Sequence, residues 1–142
     1  MKTNRIILAL IAVALAVLPA TAAERAGVKG ILISASNQPG QSDRRLAAYE
    51  SNLKRILRFE SFRYLGEDAT ALPVPGSGRL SLGEGQSVQL TTEGADARTV
   101  LLKVRWGSVR HEYVLQRGGT TVLGGPSTGR KGEVYAVILI GQ

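Results

Sequence analysis

The sequence predicts an α+β protein: a β-rich single domain, a mixed sheet or sandwich of about six to eight strands, with one amphipathic helix packed on it. Three observations carry this. Val28–Ser34 and Val134–Ile140 are apolar at nearly every position, as strands buried on both faces are. One early segment repeats its apolar residues at helical spacing. From Arg79 to Leu123, short alternating stretches are separated by turns rich in Gly.

The chain opens on a leader. Lys2 and Arg5 precede the unbroken apolar run Ile6–Leu18, Pro19 ends that run, and small residues follow. This order describes a secretory signal peptide over residues 1–22, with Ala20-Thr21-Ala22 as the cleavage site. The run is shorter than the roughly 20 apolar residues that span a bilayer. The expected mature domain is 23–142, exported to the periplasm or the medium. It has no Cys, so neither a disulfide nor a thiol nucleophile is available, and its core alone must hold it.

Val28–Ser34 is expected as the first strand. Asn37-Gln38-Pro39-Gly40 makes a loop, and Ser42 is placed to cap a helix with Asp43 in its first turn. Leu46, Tyr49, Leu53, Ile56 and Leu57 then form an apolar stripe, predicting a helix over about 43 to 58. From Glu60 the period becomes two, with Phe62 and Tyr64 on one face, and Gly66-Glu67-Asp68 is expected to close this strand. Two Pro and two Gly between Ala71 and Gly78 predict an irregular loop.

The remainder reads as hairpins. Leu80 and Leu82 face Val88 and Leu90 across the turn Gly83–Gln86, and Glu93–Asp96 makes a second turn. Val100, Leu102, Val104 and Trp106 share a face opposite Lys103 and Arg105. After Gly107-Ser108 the next strand sets Val109, His111, Tyr113 and Leu115 opposite Arg110, Glu112 and Gln116. Thr120–Leu123 is a short strand. Because 28–34 and 134–140 are apolar on both faces, they belong side by side in the middle of a sheet. The helix should cover one side of that sheet and the alternating strands the other.

The stretches "GVKGILISASN", "SFRYLGED" and "GGP…GEVYAVILIGQ" give the chain a layout that resembles small exported bacterial proteins of unassigned function. The resemblance implies a strand–helix–strand opening, a β-rich remainder and an extracytoplasmic location. It implies no activity and no functional residue.

Candidate chemistry is sparse. Gly124, Gly129 and Lys131 approach the phosphate-loop pattern, but Arg130 separates Gly129 from Lys131, Gly132 replaces the Mg²⁺-binding hydroxyl, and a strand follows where a helix is required. A glycine-rich hairpin loop is expected, with no nucleotide. His111 is the single histidine, and strand parity points Ser108 away from it, so a triad would need distant partners. With one His and no Cys, a zinc site would need several carboxylates. Glu67 and Asp68 diverge at a strand end, Glu84 lies in a hairpin loop, and Glu93 and Asp96 lie in a turn. No catalytic residue, metal ligand or cofactor follows from these.

Charge is the remaining signal. Removing Lys2 and Arg5 leaves 16 basic residues against 11 acidic ones, a net charge of +5, and most of the cations are Arg. Arg44, Arg45, Lys54, Arg55 and Arg58 crowd the polar face of the expected helix, and Lys103, Arg105 and Arg110 sit on strands. The leading expectation is a non-catalytic exported structural or binding module of the cell envelope or secreted fraction, with an envelope or secreted protein as partner. A second reading makes it a polyanion-binding protein using the basic helix face, for glycan, lipid head group or nucleic acid. A third is a hydrolase built around His111.

Overall fold

The computed structural model describes residues 25–142. The expected signal peptide and its cleavage site lie outside the described residues. The elements run β1 (Arg25–Ser36), a 3₁₀ turn (Arg44–Leu46), α1 (Glu50–Leu57), β2 (Ser61–Pro73), β3 (Gly76–Gly83) and β4 (Gln86–Ala95). They continue with β5 (Thr99–Trp106), β6 (Val109–Gln116), β7 (Thr120–Ser127) and β8 (Glu133–Gly141). No helix among the described residues is long and apolar enough to cross a membrane.

Two four-stranded sheets result, ordered β2-β1-β8-β7 and β3-β4-β5-β6. Every strand pair is antiparallel, and only an isolated bridge between Arg117 and Gly141 is parallel, so the sheets are not mixed. The two doubly apolar strands are neighbours, as their composition requires: Ile31 lies opposite Ile138, and Leu32 opposite Val137. Their side chains feed two cores. Val28, Leu32, Val137 and Leu139 point between the sheets and meet Leu80, Val88, Leu102, Val104 and Trp106. Ile31, Ile33, Ala35, Ala136 and Ile138 point the other way, under Leu46 and Leu53.

The helix is shorter than its apolar pattern predicts. Ser42 does not cap it: its hydroxyl accepts from the Phe62 amide, and the Asp43 amide donates to the Phe62 carbonyl. These bonds tie residues 42–43 to β2, and Asp43 caps only the 3₁₀ turn, accepting from the Arg45 amide at 3.0 Å. Eight residues of α-helix then follow. They end at Arg58, whose φ of 58° is left-handed and whose amide closes on the Lys54 carbonyl. So short a helix is marginal by itself and is held by what it covers. Leu46 and Leu53 are fully buried and Tyr49 and Leu57 partly so, but Ile56 flanks the stripe and is half exposed.

Three other boundaries move. Gly66-Glu67-Asp68 does not end β2. A bulge at Leu65, between the Leu32–Gly66 and Ile33–Tyr64 pairs, reverses the alternation, so Phe62 and Tyr64 face the helix layer while Leu72 faces the inter-sheet core, and the strand runs on to Pro73. The expected irregular loop at 71–78 is therefore mostly strand, a sharp corner joining the two sheets through Val74 and Pro75. The Thr92 hydroxyl, buried in the core, donates to the Pro73 carbonyl at 2.6 Å and fixes this corner. β7 likewise extends past Leu123 to Ser127, through a bulge at Gly124–Ser127.

Candidate functional site

The layering leaves the sheets in different circumstances. The outer face of β2-β1-β8-β7 lies under the helix. Among the described residues no element lies over the outer face of β3-β4-β5-β6, and strict alternation decides what stands there. Along β5, Val100, Leu102, Val104 and Trp106 are buried while Leu101, Lys103 and Arg105 are exposed.

Strand register then aligns these side chains across the sheet. Arg79 on β3 lies opposite Gln89 on β4, Gln89 opposite Arg105 on β5, and Arg105 opposite Arg110 on β6. One row across the whole sheet thus reads Arg–Gln–Arg–Arg. The next row reads Ser77, Thr91, Lys103, Glu112. All eight side chains are exposed. The rows frame shallow depressions: about 430 Å³ between Gln89, Thr91, Arg105 and Arg110, and about 280 Å³ between Arg79, Ser87, Gln89 and Arg105.

The electrostatics of the two rows differ. Lys103 is neutralised, its ammonium 2.7 Å from Glu93 and 3.6 Å from Glu112, and the hydrogen bond to Glu93 holds its pKa above the usual lysine value. Arg79, Arg105 and Arg110 form no ion pair among the described residues. Two of them stand directly across a strand pair, an arrangement that destabilises a sheet.

Of the five cations expected on one helix face, only Lys54 and Arg55 lie on α1, because Arg44 and Arg45 fall in the 3₁₀ turn and Arg58 caps the helix C-terminus; all five are exposed, but most are already engaged. Arg45 forks onto Asp43 with hydrogen bonds of 3.1 and 2.8 Å, and its guanidinium lies 4.0 Å over the Tyr64 ring. The Arg45 side chain holds the Asp43 carboxyl down at about 2. Lys54 pairs with Glu50 at 3.4 Å, and Arg55 donates to Asn52 at 2.9 Å. Arg44 and Arg58 have no ion pair among the described residues. The helix rests on the first sheet, so it and the Arg79–Arg110 row occupy opposite sides of the sandwich.

His111 lies on edge strand β6 opposite Val104, exposed, with its ring centroid 5.8 Å from that of Tyr113, and it borders the larger depression. The carboxylates weighed as pairs are parted by the fold. Glu67 bonds Lys29 at 3.0 Å and accepts from the Tyr64 hydroxyl, and these contacts lower its pKa, Tyr64 most strongly. Asp68 accepts from the Ser81 amide at 2.9 Å, joining β2 to β3. Asp96 accepts from the Arg98 and Thr99 amides, which lower its pKa and close the β4–β5 turn. No group of three or more His, Asp or Glu side chains suited to a metal forms among the described residues. The stretch resembling a phosphate loop is a β7–β8 hairpin, with Gly129 and Gly132 at φ of 96° and 73° and a strand after it.

Arg79 is the cation of the row that sequence reasoning missed, because the segment before it reads as a loop, and Gln89 carries no charge that would single it out. The chain matches no family model, no curated protein and no solved structure.

Proposed function

We propose that the protein is a non-catalytic module of the cell envelope or secreted fraction that binds its partner through the outer face of β3-β4-β5-β6. The carrying observation is that, among the described residues, nothing covers this largely polar face and three of its Arg side chains stand without counter-charges. Export is supported by the charge, apolar run and small-residue order of the leader. A rigid sheet supports a binding role, because side chains at fixed spacing meet a ligand with little ordering to do.

The absence of Cys permits a direct test. Thr91→Cys on the sheet face and Asn52→Cys on the helix, each coupled to a bulky maleimide, are compared for retention by the envelope fraction. The label at Thr91→Cys should release the mature protein, and the label at Asn52→Cys should not. Equal retention of both would remove this face from the function, and a full-length cytosolic chain would remove export.

A further inference from the structure

We infer that the ligand of this face is a linear anionic polysaccharide, held by Arg79, Arg105 and Arg110 with Gln89 between them. This rests on the face being the binding surface. It adds the chemical class of what binds.

The geometry supplies a line of charge. Neighbouring strands are about 4.8 Å apart, so the Arg79–Gln89–Arg105–Arg110 row spans roughly 14 Å at right angles to the strands. Each guanidinium offers a planar fork that matches a carboxylate or phosphate. Bringing Arg105 opposite Arg110 disfavours the empty sheet, and an anion lying along the row relieves that repulsion. Gln89 fills the one uncharged place in the row with a donor and an acceptor, and Ser77, Ser87 and Thr91 add hydroxyls around it. A line of cations interrupted once by Gln89 and bordered by hydroxyls suits sugar units that carry both an anionic group and hydroxyls.

Competing anionic partners fit less well. Bases of a single-stranded nucleic acid need aromatic platforms, and the exposed face offers none. Trp106 and Tyr113 turn into the inter-sheet core, and Phe62 and Tyr64 belong to the other sheet. A bilayer needs apolar side chains to insert, and the face exposes only Leu101 and Val114, which pair with each other beyond the Lys103–Glu112 row. An extended acidic peptide gains its backbone bonds at a strand edge, whereas backbone groups on this face are used within the ladders.

The experiment is titration of the mature protein with oligogalacturonate, an oligothymidylate, and vesicles containing phosphatidylglycerol. It compares wild type, the triple variant Arg79→Gln/Arg105→Gln/Arg110→Gln, and the triple variant Arg44→Gln/Arg45→Gln/Arg55→Gln. The variants carry the same net charge, and the Trp106 emission of each reports that it is folded. Oligogalacturonate should bind wild type most tightly, weakening on the order of tenfold between 50 and 200 mM salt as counterions compete. The sheet-face variant should lose tenfold or more, and the helix variant less than twofold. Equal losses in both would overturn the inference, reducing it to bulk charge. Tighter binding of oligothymidylate or vesicles would overturn it in favour of those partners. No binding of oligogalacturonate would overturn the ligand class, while the labelling experiment above would still decide whether the face binds.

Discussion

Gly66→Ala should separate the sheets at a point of close approach. Gly66 follows the β2 bulge at Leu65, and an added Cβ there would come within 2.2 Å of the Leu82 carbonyl oxygen on β3. Carbon and oxygen seldom approach closer than roughly 3.3 Å, so the strands must part by about 1 Å. The obstructing atom is backbone within a paired strand and has no rotamer by which to yield. Overpacking of this kind costs about 1–3 kcal/mol, and a rigid obstacle puts it at the upper end. The loss of unfolded-state freedom on replacing Gly returns about 0.4–1 kcal/mol, leaving a net destabilisation of about 2 kcal/mol. Gly94 provides the control, since nothing lies within 4 Å of its added Cβ and its φ is not left-handed. Gly94→Ala should be neutral or slightly stabilising. In urea melts with a slope of about 1–3 kcal/mol/M, the Gly66→Ala midpoint should fall by about 1 M relative to Gly94→Ala. Coincident midpoints would refute the close packing of β2 against β3.

The helix gives a second pair: Leu53→Ala, at a fully buried site, should cost about 2–5 kcal/mol. Ile56→Ala, at a site 50% exposed, should stay within about 1 kcal/mol, and equal losses would mean the helix is rotated on its sheet. Gly125→Ala should displace the single Trp, because the new Cβ would lie 2.2 Å from the Trp106 ring, whose Nε1 donates to Gln86 at 2.9 Å. A red-shifted emission and a loss of about 1–3 kcal/mol are expected; an unshifted spectrum would show that the ring lies elsewhere. Acid should act through Asp43, whose pKa falls from 3.8 to about 2 on folding. A carboxyl depressed by folding stabilises above its unfolded pKa and loses that contribution as pH falls through the folded one. Wild type should therefore exceed Asp43→Asn in stability above about pH 4 and converge with it near pH 2, as followed by melts across that range; a constant gap would remove the Asp43–Arg45 pairing.

Much of the candidate site was already written in local pattern. Alternation on β5 put Lys103 and Arg105 on the face opposite Trp106. The two-residue turn Gly107-Ser108 also dictates that Trp106 meets Val109 and Arg105 meets Arg110, since a hairpin's register follows from its turn. The phosphate-like stretch could be dismissed for the same local reason, because Val134–Ile140 favours a strand. Even the pairing of β1 with β8 followed from their being apolar on both faces, a property that only a sheet covered twice can accommodate.

What the tertiary structure decided is whatever depends on contacts between distant segments. The helix stops short because Ser42 and Asp43 bond β2, and Ile56 is exposed because the sheet below takes only the centre of the stripe. β2 passes through Gly66-Glu67-Asp68 because a bulge lets it serve both cores, and local turn chemistry cannot foresee a partner for those residues on β1. Arg79 joins the row only through the β3–β4 pairing, and Arg105 meets Gln89 only because a bulge beyond Thr92 sets the β4–β5 register. Sequence determines which side chains share a strand face, since that is fixed by backbone geometry every two residues. Which faces are buried, and which cations are left without a counter-charge, is settled when the second sheet and the helix take opposite sides of the first.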